Sequence, residues 1–136
     1  MKLTAKQKKE INIVGKKYNL RFIIIHGSYA VGEERKGSDL DVAIYGKKEI
    51  DFEKQLQIHG DIGRIFGDNK KRELDLKALH GKDPLFVYQV VKSGQLVYGD
   101  KYDYSFFEAF AMRSYLKNNK IFQLEDILIN KALQNI

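Results

Sequence analysis

Three short features of the sequence would, if they met in space, bring carboxylate and phosphate chemistry together. Gly27-Ser28 directly follows an apolar run, Asp39-Leu40-Asp41 comes after ten intervening residues, and Asp75 lies in a later alternating stretch. Residues two apart on a strand project from one face with Cα atoms about 6.5–7 Å apart, so Asp39 and Asp41 form a paired anionic edge. Neighbouring strands lie about 4.8 Å apart, and an adjacent third strand brings Asp75 alongside that pair. Carboxylates gathered this closely repel, and a metal relieves them; oxygen-only donors suit Mg²⁺. Two such ions about 3.5–4 Å apart could activate an attacking hydroxyl and stabilise a leaving oxygen. Gly27 lets backbone approach a phosphate, a short helix after it would aim N–H groups at the anion, and the Ser28 hydroxyl adds a donor. The chemistry expected is phosphoryl or nucleotidyl transfer. Taken singly each feature is common, since D-x-D usually marks a turn or cap and a lone Asp75 would be an ordinary surface acid. Order, spacing and facing together carry the reading.

The elements that must position these residues follow from periodicity and punctuation. A first helix is expected from about Ala5 to Tyr18, with Thr4 and Gln7 in a capping-box pattern and Ile11, Val14 and Tyr18 on one face. Arg21 to His26 reads as a strand apolar on both faces, hence a central or covered one. Gly27 to Ser38 is loop-like, with room for one helical turn near its start. Asp39 to Tyr45 alternates as a strand, Leu40, Val42 and Ile44 pointing one way and Asp39, Asp41 and Ala43 the other. Asp51 to Phe66 has a broad apolar side (Phe52, Leu56, Ile62, Ile65, Phe66) and is expected to be helical despite Gly60 and Gly63. Arg72 to Leu79 alternates again. Asp83, Pro84 and Gly94 punctuate the next helix, and Gln95 to Tyr98 is a short strand. Two last helices are expected over Tyr104–Leu116 and Gln123–Ala132. The order implies an α+β fold, a small mixed β-sheet with helices packed mainly on one face, in a single domain spanning residues 1–136.

Composition bounds the rest. Hydrophobic residues make up 43% and charged residues 31% of the 136-residue chain, a globular balance. There is no cysteine, which excludes disulfides and thiolate metal sites. The lysine-rich start lacks an apolar segment behind it, and the run Phe22-Ile23-Ile24-Ile25 is far too short to span a bilayer, so a soluble cytoplasmic protein is expected. The net charge of +6 favours a polyanionic partner or simply reflects a lysine-rich background. No nucleic-acid-binding motif accompanies it.

On these residues the sequence resembles the minimal nucleotidyltransferases of the DNA polymerase β-like superfamily. Gly27-Ser28-Tyr29-Ala30-Val31-Gly32 continuing to Ser38-Asp39-Leu40-Asp41-Val42-Ala43 matches their glycine-serine and paired-aspartate signature, and Glu73-Leu74-Asp75-Leu76 matches their third acidic strand. The likeness continues more loosely into Phe107–Leu116. It implies a nucleotidyltransferase fold in which Asp39, Asp41 and Asp75 hold two Mg²⁺, and Asp75 helps activate the acceptor. Gly27, Ser28 and Ser38 would bind the nucleotide, with ATP as substrate. It further implies an antitoxin whose partner is a cognate HEPN-domain ribonuclease toxin, neutralised by transfer of AMP to a toxin tyrosine. Two positions depart from the pattern: Val31 stands where arginine is frequent, and His26 where an apolar residue is frequent.

Other acceptors remain open at this level, namely a small molecule or an RNA end, as does a non-catalytic module that inhibits its toxin by contact. His26 could touch a nucleotide or simply satisfy a backbone group, while His59 and His80 lack metal-ligand spacing. Arg35 and Lys36 could neutralise phosphate or sit on a solvated loop. The C-terminal aromatics Tyr102, Tyr104, Phe106, Phe107, Phe110, Tyr115 and Phe122 are dense. A stripe of Phe107, Phe110 and Ser114 is expected to face the core, and the segment about 104–134 could dock a partner.

Overall fold

The computed structural model describes residues 1–135, apart from the side chain of Phe122. Four strands form one mixed sheet in the order β3-β2-β1-β4. They are β1 (Leu20–His26), β2 (Leu40–Gly46), β3 (Leu74–Ala78) and β4 (Gln95–Tyr98). β1 runs antiparallel to both β2 and β4, and β2 runs parallel to β3. The helices are α1 (Ala5–Lys17), α2 (Ser28–Val31), α3 (Phe52–Phe66), α4 (Pro84–Ser93) and α5 (Lys101–Gln134). No helix among the described residues is long and apolar enough to cross a membrane.

Both faces of the sheet are covered, whereas the sequence led us to expect helices mainly on one. The cause lies in β1. Ile23 and Ile25 join Leu40, Val42, Ile44 and Leu74 under α1 and α3, which contribute Ile11, Val14, Ile58, Ile62 and Phe66. Phe22 and Ile24 point the other way and join Ala43, Leu79, Val90, Val91 and Phe107, burying the sheet under α4 and the start of α5. A strand apolar on both sides needs cover on both, because an exposed face of that kind would leave large apolar area in water.

Local signals explain the ends of the elements. The Thr4 hydroxyl accepts from Gln7 N at 3.1 Å and the Gln7 side chain accepts from Thr4 N at 2.9 Å, closing the expected capping box. Asp51 caps α3 through Lys54 N, and Asp83 caps α4 through Leu85 N with Pro84 at the first helical position. On α3 the buried stripe is Ile58, Ile62 and Phe66, while Phe52 and Leu56, expected on the apolar side, are exposed.

The C-terminus departs most from expectation. One continuous helix of 34 residues replaces the two that were expected. The polar stretch Lys117-Asn-Asn-Lys120 falls between the two expected helices, yet it contains neither glycine nor proline, and asparagine lowers helix propensity by only about 0.7 kcal/mol per residue. Phe107 and Ala111 are buried, as expected for Phe107, but Phe110 is 61% exposed and does not face the core. Phe122 lies outside the described side chains. Tyr104 donates to Val91 O at 2.6 Å, and burial pushes its hydroxyl up to about 12, so it remains a donor at neutral pH.

Arg21 ties β1 to α5. Its guanidinium donates to both Asp103 carboxylate oxygens, at 2.7 and 2.6 Å, and lies near the rings of Phe22, Tyr45 and Phe107. The hydrogen bonds from Arg21 hold Asp103 below its ordinary value. A depressed carboxylate contributes stability above its unfolded pKa and loses it as pH falls through the folded value. Arg21→Met, which keeps the apolar stem, should therefore lower the melting temperature at pH 7, with the deficit shrinking once pH drops below about 4. Melts across that range read the effect directly; a deficit independent of pH would assign it to packing instead.

Candidate active site

The acids meet because of strand register. β1 and β2 pair so that His26 stands opposite Asp41, and β2 and β3 pair so that Asp41 stands opposite Asp75. Paired residues on neighbouring strands project from the same face. His26, Asp41 and Asp75 thus form a row across three strands, at the end of the face that α4 and α5 cover further along. Asp39 lies one residue before β2, at an exposed position where Leu40 N bonds Glu73 O at 2.8 Å.

Gly27 brings the turn against this row. Its backbone has φ +71° and ψ −151°, a region open essentially to glycine alone, and a Cβ there would collide with the Asp41 carboxylate. Ser28 begins α2 immediately afterwards, and Ala30 N bonds Gly27 O at 3.1 Å. A cleft of about 850 Å³ opens beside the turn, lined by Gly27, Ser28, Val31, Glu33, Glu34, Arg35 and Ser93. Val31, the departure from the expected arginine, is exposed on its wall. Ser38 is occupied locally: its hydroxyl accepts from Arg35 N at 2.9 Å and its own N–H bonds Arg35 O, closing a turn in the loop.

The electrostatics follow from this crowding. Burial pushes the Asp41 carboxyl above its ordinary value; the charges of Asp75 and Asp39 add to the effect, and Lys77 opposes it. His26 is 8% exposed, and its Nε2 has no hydrogen-bond partner among the described residues. Burial holds this imidazole below its ordinary value, with Lys77 adding and Asp75 opposing. Its ring meets Phe86 edge-on at 6.0 Å between centroids. His59 instead lies 3.1 Å from Leu74 O, and His80 packs on Tyr45, so neither joins the acids.

Among the described residues no group of three acids or imidazoles closes into a ready-made metal cage. An open set of carboxylates is nonetheless the donor type for a hard divalent cation that takes its remaining ligands from water and phosphate. Sequence reasoning missed Lys77, whose ammonium stands 3.6 Å from Asp75 Oδ2. The signal was present, since Lys77 follows Asp75 by two along an alternating strand and must share its face. Ser93 was not foreseeable, because it reaches the cleft only through the packing of α4.

A small mixed sheet with paired aspartates after a glycine-serine turn and a third acid on the next strand defines a nucleotidyl-transfer architecture. The family model described as Polymerase beta, Nucleotidyltransferase matches residues 8–103, and the chain belongs to that family. The chain is 23% identical over 115 residues to the protein adenylyltransferase MntA of Shewanella oneidensis, a match covering 83% of this chain and 80% of that protein. It also superposes on a crystal structure of a toxin–antitoxin pair with AMP-PNP, with a TM-score of 0.67, 20% identity, and coverage of 89% of this chain and 98% of the other. A structure of tri-AMPylated Shewanella oneidensis HEPN toxin in complex with MNT antitoxin matches with a TM-score of 0.61 and 18% identity, over 90% and 97% of the two chains. These structural likenesses establish a shared fold.

Proposed function

We propose that the chain is a Mg²⁺-dependent protein adenylyltransferase, a single catalytic domain acting in the cytoplasm as an antitoxin. It transfers AMP from ATP to a tyrosine hydroxyl of a cognate HEPN ribonuclease toxin. The observation that carries this reading is the register that sets Asp41 opposite Asp75 beside Gly27 and Ser28. The MntA relative, named a protein adenylyltransferase, and the AMPylated toxin complex support the choice of acceptor.

The mutual repulsion of the acids provides the fit test for the metal. Burial first, and then the charges of Asp75 and Asp39, raise Asp41, so a cation held by these carboxylates would offset a cost of keeping them ionised together. Asp39, Asp41 and Asp75 would hold Mg²⁺, which when bound would neutralise triphosphate charge and favour the phenolate form of the acceptor. Gly27 and Ser28 bind the triphosphate through the start of α2, with Ser38 fixing the loop above it. The tyrosine oxygen attacks the α-phosphorus; that O–P bond forms as the bond to the β-phosphate oxygen breaks. Asp75 accepts the phenolic proton, and pyrophosphate leaves.

The partner surface is the distal part of α5, where Ile121, Leu124, Ile127, Leu128 and Leu133 are exposed. Apolar area of this extent on one helix is characteristic of a protein contact. Incubation with α-labelled ATP, Mg²⁺ and the partner should place label on a partner tyrosine and release one pyrophosphate per label. Full neutralisation of the toxin with no label transferred would refute the catalytic reading in favour of inhibition by contact.

A further inference from the structure

Lys77 is the only charged ion-pair partner that the site acids have among the described residues; the other ion pairs lie on α1, α3, the α3–β3 loop and the β1–α5 junction. Its position is set from two sides. Asp75 and Lys77 are two apart on β3 and project from one face, with Nζ 3.6 Å from Oδ2. The same ammonium lies 5.4 Å from the centroid of Phe86, a residue of the first turn of α4, whose ring in turn meets His26. Asp75 stands opposite Asp41 across the sheet, so an ammonium against Asp75 lies beside the row of site residues rather than on outlying surface.

Such a placement conflicts with metal binding. An ammonium and a divalent cation cannot both sit against one side of a carboxylate without repelling each other. Both members of the pair are about two-fifths exposed, so the pair is weak and easily parted. The observation admits a plain alternative, an ordinary surface pair along a strand, which would leave metal affinity untouched.

We propose that Lys77 is a positioning residue that serves as a displaceable counter-ion for Asp75, so that this carboxylate becomes available to a divalent cation only after a nucleotide has drawn the ammonium away. The triphosphate supplies that attraction, since its oxygens offer Lys77 a denser negative charge than one carboxylate does. Nucleotide binding therefore precedes full metal loading, and metal entering without nucleotide meets a site that is partly self-neutralised. The inference rests on the metal-dependent reading above and concerns the order of binding, which that reading leaves open.

The test measures Mn²⁺ uptake by the full chain, from the paramagnetic resonance signal of the free ion, with and without a non-hydrolysable ATP analogue. Without nucleotide, Lys77→Met and Lys77→Gln should bind Mn²⁺ on the order of tenfold more tightly than the wild type, the usual influence of one adjacent charge on an ionic equilibrium. Lys77→Arg should behave as wild type. Adding Asp75→Asn to Lys77→Met should erase the tightening, because the carboxylate being competed for is gone. With the analogue present, wild type and Lys77→Met should converge to within about threefold, since in both the carboxylate is then free of its ammonium. A general loss of structure would weaken binding, so tightening is the diagnostic direction. Unchanged or weaker Mn²⁺ binding in both neutral variants overturns the proposal while leaving the metal-dependent reading intact. No Mn²⁺ uptake by wild type in either condition overturns both.

Discussion

Asp41→Asn should lower adenylyl transfer by at least about a thousandfold while leaving the fold as stable as before, or more so. The catalytic half of this expectation follows from geometry. Asp41 stands at the centre of the row, opposite His26 on one side and Asp75 on the other, and against Gly27. Asparagine keeps the shape but removes the charge that a divalent cation requires. The stability half follows from the raised proton affinity of this carboxyl. A carboxyl whose folded pKa exceeds its unfolded one favours folding fully below about pH 4, and that contribution is lost as pH rises through the folded value. At neutral pH the wild type thus carries a crowded, partly buried anion that the variant lacks. Melting curves from pH 3.5 to pH 7 should show the variant gaining on the wild type as pH rises. Mg²⁺ with nucleotide should raise the wild-type melting temperature and leave the variant nearly unmoved. Retention of transfer activity, or a fall of many degrees in stability at pH 7, would contradict this account.

The second large effect is expected at Gly27. Alanine there meets two obstacles: a backbone conformation with φ +71° and ψ −151°, and a Cβ that runs into the Asp41 carboxylate. Backbone strain of this kind costs about 1–3 kcal/mol, and the collision can be relieved only by moving Asp41 or opening the turn. Either movement disturbs the site, so Gly27→Ala should lose about 2–3 kcal/mol of stability and over a hundredfold in activity. Gly32 provides the comparison. It ends α2 with φ +73°, and nothing lies within 4 Å of a Cβ built on it. Gly32→Ala should show strain alone, about 1 kcal/mol, with activity largely retained. Denaturant titration and initial rates on both variants separate the two causes. Equal losses of activity in the pair would show that the approach of Gly27 to Asp41 is not what matters.

The parts of the fold governed by local alternation were legible in the chain, and those governed by packing were not. Leu40, Val42 and Ile44 against Asp41 and Ala43 announced both the strand and its faces. Thr4 with Gln7, and Asp83 with Pro84, announced helix starts, because caps act within one turn. The adjacency of Asp41 and Asp75 was inferred from strand neighbourhood, and their parallel register realises it. The two-sided cover of the sheet was implicit in Phe22-Ile23-Ile24-Ile25, yet the chain gave no measure of which helix would lie on which side. Phe52 and Leu56 misled because an apolar residue on an amphipathic helix is buried only if a neighbour reaches it. At the site, Lys77 drew no notice within the alternating stretch that became β3. Its shared face with Asp75 was legible in the two-residue spacing, but the approach of Phe86 and of Asp41 was not, because they come near only through tertiary contacts.

The unbroken length of α5 bears on how long the protein persists in a cell. At 1.5 Å per residue its 34 residues extend about 51 Å, and only the first third contributes to the core. Beyond Tyr115, which stacks on Tyr88 of α4, the described side chains are largely exposed, and a helical segment of that size is marginal without tertiary support. When the chain is alone in solution, this arm should be the first part to fray and the first that a protease can grip. An arm covered by a protein partner would be shielded, so the amount of intact chain would follow the amount of that partner.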